Sequence, residues 1–393
     1  MDTKDRGFMM RFSLLSISLV LTSAYAISPA LPAMVSQFHD QSRANVELLS
    51  TIPSFSVMVM VLASGFIARK IGEKTTVILG LVLSAIFGVI PFFTSNFWVI
   101  MGSRVCLGIG FGLINSLAVS MIGMFFKGDE KATMMGFRSS FESLGQSLMT
   151  LVAGFLLVAG WKGTFLVYLI AIPILILFVI FVHPTRSAQT SEAQETAVTS
   201  KQKINAPIVL IATFLFAIVV AYIGITVRFS SIVSNYQLGT MEQSSRILSV
   251  MTFCGMLVGF IFGTINKLLR AHTLTLGILC MALGCIFVYS SQSFVMLSIG
   301  ALLAGIGYPI MVAYTFNKIS DVCASDSSTL STAVVLVGCN LGAFLAPYGL
   351  KLASSLVNSN SLTLPFLIYA IILFAIAVGY VVYVVSKCRK IEA

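Results

Sequence analysis

Charge is the scarcest property of this chain. Only 10% of its 393 residues are Lys, Arg, Asp or Glu, and just 14 of them are acids. A water-facing surface over that length needs about a quarter of its residues charged, so a soluble globular protein is excluded. Histidine is nearly missing too: His39, His183 and His272 fall in loops, with no cluster suited to a metal. The seven cysteines (Cys106, Cys254, Cys280, Cys285, Cys323, Cys339, Cys388) lack paired metal spacing and lie mostly in apolar runs, where a thiol is a small packing residue. No GxxxxGKS/T phosphate loop occurs, which points to a gradient and not nucleotide hydrolysis as the energy source. No polar stretch is long enough for a soluble domain. A membrane-embedded enzyme would need a metal or nucleophile cluster at the membrane face, and a receptor an added cytoplasmic domain; neither is visible. No cofactor and no metal are expected.

What is abundant is apolar sequence, at 58%. Runs of about 20 residues, the length that crosses a hydrocarbon core, recur along the chain. They lie at Met9–Ser28, Val46–Ala68, Thr75–Phe93, Phe97–Phe125, Thr133–Val158 and Thr164–Val182, then at Pro207–Val227, Leu248–Ile265, Leu274–Ser290, Phe294–Phe316, Leu330–Leu352 and Leu362–Val385. Arg11, the first apolar run and Ala24-Tyr25-Ala26 could pass for a cleaved signal peptide. Removing it would leave eleven spans and orphan the partner of the seventh, so the run is read as span one.

Two segments 197 residues apart read almost alike, Gly108-Ile109-Gly110-Phe111 and Gly305-Ile306-Gly307-Tyr308, and the same offset carries Leu144-Gly145 onto Leu341-Gly342. The expected fold is therefore an all-α integral membrane protein of twelve transmembrane helices in two pseudo-symmetric six-helix bundles. The bundles are residues 1–182 and 207–393, joined by a linker over 183–206 that is rich in Ser, Thr, Gln and Ala. Two similar halves can rock around one central site, which points to a transporter.

Basic residues set the orientation. Seventeen of the 24 fall on the side holding both ends and the even-numbered loops. Four (Arg43, Lys162, Arg246, Lys351) fall on the other, and Arg104, Arg138 and Arg228 lie within spans. Both termini are thus expected to be cytoplasmic, in a cell (inner or plasma) membrane. Anionic lipid headgroups account for the +10 net charge, so nucleic acid is not an expected partner.

Between spans two and three, the run from Gly65 through Arg69, Lys70 and Gly72 to Lys74 resembles the cytoplasmic signature of the major facilitator superfamily (Gly, three residues, Asp, a basic residue, Gly). The resemblance covers all twelve spans. It implies a tight helix end at Gly72 and a gating latch of Gly65, Arg69, Lys70 and Gly72. Arg69 stands where most members have Asp, so the latch must work differently, and positive-inside anchoring is the plain alternative. A weaker copy runs from Gly263 to Lys267. Arg104, followed by Gly108, Gly110 and Gly112, resembles the fourth-helix signature of proton-coupled carriers, with Leu107 where a polar residue is usual. The Gly-Pro signature of drug antiporters is not matched, since span five contains no proline.

Ionisable groups inside a bilayer are functional candidates by default. Arg138, Glu142 and Gln146 share one face of span five at i, i+4, i+8, and Glu142 lies near the midplane as the one acid clearly within a span. At the 197 offset stand Val335, Cys339 and Ala343, so the polar stripe is an addition to the first half. A self-neutralising Arg138–Glu142 pair is the alternative. Proton coupling is assigned to Glu142, Arg138 and Arg104. Arg104 is also placed to snorkel outward, and Asn115 shares its face. Gln146 and Asn115 are expected to line a substrate cavity, together with Tyr25, Tyr222, Tyr308, Tyr314 and Asn340, which lie on spans that line it by family resemblance. The expected activity is proton-coupled export of small amphipathic organic molecules by a monomer, with protons, substrate and membrane lipid as its partners. The alternative is uptake or exchange of a small organic anion, favoured by three in-span arginines against one acid.

Overall fold

Every described element is a helix. The computed structural model describes residues 3–182, 206–270, 272–322, 328–359 and 361–392. The chain divides into two compact units, Met1–Lys201 and Gln202–Ala393. The expected linker lies outside the described residues, apart from Ala206.

The first unit begins with α1 (Thr3–Ser16), runs through short 3-10 turns at Ile17–Val20 and Ser23–Ala30, and ends its first crossing in α2 (Leu31–Gln37). There follow α3 (Arg43–Ile71), α4 (Glu73–Phe93), α5 (Phe97–Phe125) and α6 (Gly128–Leu156). A 3-10 stretch, Trp161–Ile170, leads into α7 (Ala171–Phe181). The second unit contains α8 (Ala206–Asn235), α9 (Met241–Leu269), α10 (His272–Tyr289), α11 (Phe294–Val322), α12 (Ser328–Leu356) and α13 (Leu364–Glu392). Among the described residues, eleven helices are long and apolar enough to cross a membrane, and a twelfth span is the bent pair Phe8–Val20 and Ser23–Gln37. Large apolar side chains such as Phe66, Phe93 and Leu210 stand on the outside, where lipid and not water is the compatible solvent.

Helix starts follow local chemistry. The Ser42 hydroxyl accepts from Asn45 N–H at the start of α3, and Asn96 accepts from the N–H groups of Trp98 and Val99 at the start of α5. Thr240 and Gln243 form a reciprocal capping box on α9. Gly72 joins α3 to α4 as a single residue at φ +86°, a conformation that costs any residue with a Cβ.

The sequence repeat is a repeat of packing. A Cβ built on Gly110 would lie 2.7 Å from the Gly80 carbonyl oxygen, and one on Gly307 would lie 2.7 Å from that of Gly277, 197 residues on. Likewise Gly145 lies against the Leu19 backbone, and Gly342 against that of Phe216. These are close backbone approaches that only glycine allows, and they pair the same spans in each half. On α9, Gly255, Gly259 and Gly263 form a row of small residues at four-residue spacing, and it is different. A Cβ on Gly259 or Gly263 would touch nothing, so those two do not serve helix packing.

One feature breaks the symmetry. α8 is an unbroken helix of 30 residues, while the first crossing bends by 43° around Leu21 and Thr22. Side chains on either side of the bend loosen the regular helix. Hydroxyls compete with the helical ladder, as where Ser23 Oγ donates to Val20 O and Ser16 Oγ to Ser13 O. Pro29 removes a further N–H and Pro32 starts α2 afresh.

Candidate functional site

Glu142 is the middle residue of α6, about 21 Å from either end at 1.5 Å per residue. Its carboxylate Oε2 lies 3.7 Å from Arg138 Nη1, with side chains 27% and 15% exposed. That separation exceeds a hydrogen bond. The short contact of Arg138 goes instead to α5, where Nη2 donates to Asn115 Oδ1 at 2.6 Å. The structure therefore brings Arg138, Glu142 and Asn115 together. It leaves the acid as the loosely held member, reachable and not locked into a tight pair. Gln146 continues the stripe half-buried. On the span-one side, Thr22 Oγ1 donates to the Glu142 backbone carbonyl at 3.1 Å, so the bend in the first crossing docks on the turn that carries the acid. Nearer the start of α6, Phe141 meets Phe12 edge-on at 6.1 Å, and Phe12 stacks on Phe8 at 6.4 Å.

Arg104 is not a snorkelling residue. It is completely buried. Its Nε donates to Leu49 O at 2.8 Å, Nη1 to the Tyr168 hydroxyl at 2.7 Å and Nη2 to Ala24 O at 2.7 Å. Tyr168 in turn donates to Ser23 O at 3.0 Å. The guanidinium also lies over the rings of Tyr168 and Phe165, 5.2 and 5.9 Å from their centroids. These partners are carbonyls, a hydroxyl and rings, all of them neutral.

The tyrosines fall into separate groups. Tyr25 is buried in the first unit, its hydroxyl 2.7 Å from Ser54 Oγ on α3. In the second unit Tyr222 on α8 stacks face to face on Tyr308 of α11, with centroids 4.0 Å apart and planes 9° from parallel. Tyr314 pairs through its hydroxyl with that of Tyr380 on α13 at 2.9 Å. Asn340 spends one amide hydrogen on Leu336 O of its own helix.

At the latch, Arg69 and Lys70 are exposed in the last turn of α3, and Arg69 lies over the Phe66 ring at 5.9 Å. Gly72 forms the joint already described, and a Cβ on Gly65 would meet nothing. The carboxylate of this corner is Glu73, which accepts from Ser120 Oγ on α5 at 3.2 Å, while Lys74 Nζ donates to Val179 O on α7 at 2.9 Å. A carboxylate thus stands four residues after Arg69, facing α5. Just above it, Ser64 and Ser116 join α3 to α5 through their hydroxyls.

Three participants are absent from the sequence-based candidates. Glu47 on α3 is fully buried near the start of its span, a second buried acid in the first unit. It stands second in the apolar run Val46–Ala68, a place that reads as interfacial. Tyr168 is a lone hydroxyl in an apolar span, and its role depends on Arg104. Pro53 carried a usable signal, because a proline inside a helix leaves the carbonyl four residues earlier without its ladder donor, here Leu49. Arg228 is buried at 4% exposure within α8, which is inconsistent with simple anchoring at the membrane surface. Among the described residues, no group of three His, Cys, Asp or Glu side chains is placed to hold a metal ion.

The sequence matches the Major Facilitator Superfamily model over residues 13–347, most of the chain. The chain belongs to that superfamily. It is a multi-pass membrane protein of a superfamily of transporters. The fold agrees with solved members. The inward-open xylose transporter XylE from E. coli superposes with a TM-score of 0.75 at 14% identity, covering 95% of each chain. A bacterial homologue of the human lysosomal transporter Spinster superposes at 0.71 and 14% identity, covering 97% of each. Among curated superfamily relatives, the multidrug efflux protein YfmO of Bacillus subtilis (strain 168) is 31% identical over 140 residues, 35% of each chain. The quinolone resistance protein NorA of Staphylococcus aureus (strain Mu50 / ATCC 700699) is 23% identical over 250 residues, 63% of each. The match thus spans about a third of YfmO and under two thirds of NorA.

Proposed function

We propose that this superfamily member is a proton-coupled exporter of small amphipathic organic molecules, with Glu142 as the proton carrier. The observation that carries the reading is the Glu142 carboxylate. It sits at mid-helix, partly exposed, and its ion pair at 3.7 Å is too long for a hydrogen bond. A carboxylate that must take up and release a proton in each cycle needs this kind of loose partner, because a tight bidentate pair would hold it ionised. Arg138 has Asn115 as a second, neutral acceptor, so its charge keeps a partner while Glu142 is protonated.

Substrate would compete with the proton at this face, and the two halves would alternate between sides. On the first unit, which carries Glu142, the Phe8–Phe12–Phe141 row supplies aromatic surface suited to flat, partly apolar compounds. YfmO is a multidrug efflux protein and NorA a quinolone resistance protein, which agrees with export. Both termini are assigned to the cytoplasm on the basic-residue bias, which accessibility reporters at Ser191 and Lys387 test directly. The gating role of Arg69 and Lys70 belongs to the same proposal, with Glu73 as the acid of the latch.

The test is transport by the purified protein in liposomes under an imposed pH gradient. Ethidium and Hoechst 33342 serve as cationic amphipathic probes and salicylate as an aromatic anion. Gradient-driven movement of the cationic probes against their own concentration supports the reading. Movement of salicylate alone would replace it with anion uptake or exchange.

A further inference from the structure

Arg104 presents an energetic puzzle. A fully buried guanidinium is costly unless its charge is compensated, yet each partner it touches is neutral. The backbone partners lie where regular α-helix gives way. Leu49 O has lost its donor because Pro53, four residues on, has no N–H. Ala24 and Ser23 open the 3-10 segment just after the bend in the first crossing, and their carbonyls accept from Arg104 and Tyr168. In a membrane the Leu49 carbonyl cannot turn to water, so a donor must be built in for it.

The second half provides an internal control. At the 197 offset from Thr22, Pro53, Arg104 and Tyr168 stand Val219, Val250, Ala301 and Pro365. Proline, arginine and tyrosine are missing there together, and α8 runs without a break. The bend and the residues around Arg104 therefore come as one set.

We propose that Leu49 O, Ala24 O and the Tyr168 hydroxyl form a guanidinium-binding cradle, filled by the chain's own Arg104. In this role Arg104 is a positioning residue. It ties the bent first crossing to α3, to α5 and to the Trp161–Ile170 segment, so that Thr22 meets the Glu142 carbonyl on α6 and Leu19 lies on Gly145. The inference stands apart from the coupling reading, since the cradle is needed whether or not Glu142 carries protons.

The experiment is thermal unfolding of the purified full chain, comparing the unmodified protein with Arg104→Ala, each with and without millimolar methylguanidinium. Removing the side chain empties the cradle, and the unfolding temperature is expected to fall by roughly 5 °C or more. Methylguanidinium should restore at least half of that loss, leave the unmodified protein unchanged, and do so better than methylammonium, which lacks the planar fork. A fall that methylguanidinium does not reverse, or no fall at all, overturns the proposal. Should Arg104→Ala fail to purify, Arg104→Gln with and without Pro53→Ala replaces it. Pro53→Ala returns an N–H to Leu49 O while adding no charge, so recovery of the Gln variant supports the cradle and its absence refutes it.

Discussion

Changing Tyr168 to Phe removes one oxygen atom and leaves the ring in place. That oxygen accepts from Arg104 Nη1 at 2.7 Å and donates to Ser23 O at 3.0 Å. Arg104 and Ser23 are both completely buried, so neither can turn to solvent when the hydroxyl goes. A hydrogen bond to a charged group is worth about 1.5–3 kcal/mol and a neutral one about 0.5–1.5, giving an expected loss of roughly 2–4 kcal/mol for Tyr168→Phe. The contact of the guanidinium with the ring face, 5.2 Å from the centroid, survives the change. Tyr25→Phe is the matched control, because it loses a single neutral hydrogen bond to Ser54 at 2.7 Å, worth about 1 kcal/mol. Equilibrium unfolding in mixed micelles, titrated with denaturing detergent, ranks the two variants against the unmodified chain. If Tyr168→Phe costs no more than Tyr25→Phe, the energetic reasoning about Arg104 is wrong.

The same unfolding assay checks the glycines. Gly145→Ala forces a methyl into the Leu19 backbone and should cost about 1–3 kcal/mol, whereas Gly259→Ala meets open space and should stabilise by about 0.5–1 kcal/mol. Equal effects at the two positions would refute the packing repeat. Gly72→Ala must hold a Cβ at φ +86° and should lose about 1–3 kcal/mol. An unchanged midpoint there would mean that the α3–α4 joint relaxes without strain.

The spans were legible because hydropathy is a local property, and the two-fold repeat because close helix approaches demand glycine at fixed offsets. The Arg138–Glu142 pairing was legible too, since i, i+4 spacing on a helix dictates it. What sequence did not reveal was the bend at Leu21 and Thr22. No proline or glycine occupies the bend itself, and the groups that meet it, Arg104, Tyr168 and the Glu142 carbonyl of α6, are distant in sequence. The partners of Arg104 escaped for a related reason. Two are backbone carbonyls, which every residue has, so only the proline that freed one of them left a trace. Glu73 was not legible as the carboxylate of this corner, because the family pattern puts an acid at position 69, where arginine stands. Glu47 was overlooked because burial at the end of a span depends on packing that hydropathy does not encode.

The central claim is that Glu142 couples protons to transport, and one comparison tests it most directly. Unmodified protein and Glu142→Gln are reconstituted into liposomes, and the probe that the unmodified protein moves is followed with and without an imposed pH gradient. Gln keeps the shape of the side chain and cannot titrate. The account predicts that Glu142→Gln loses gradient-driven accumulation while downhill exchange of the same probe continues. Full gradient-driven accumulation by Glu142→Gln, or by Glu142→Gln combined with Arg138→Met, would contradict it.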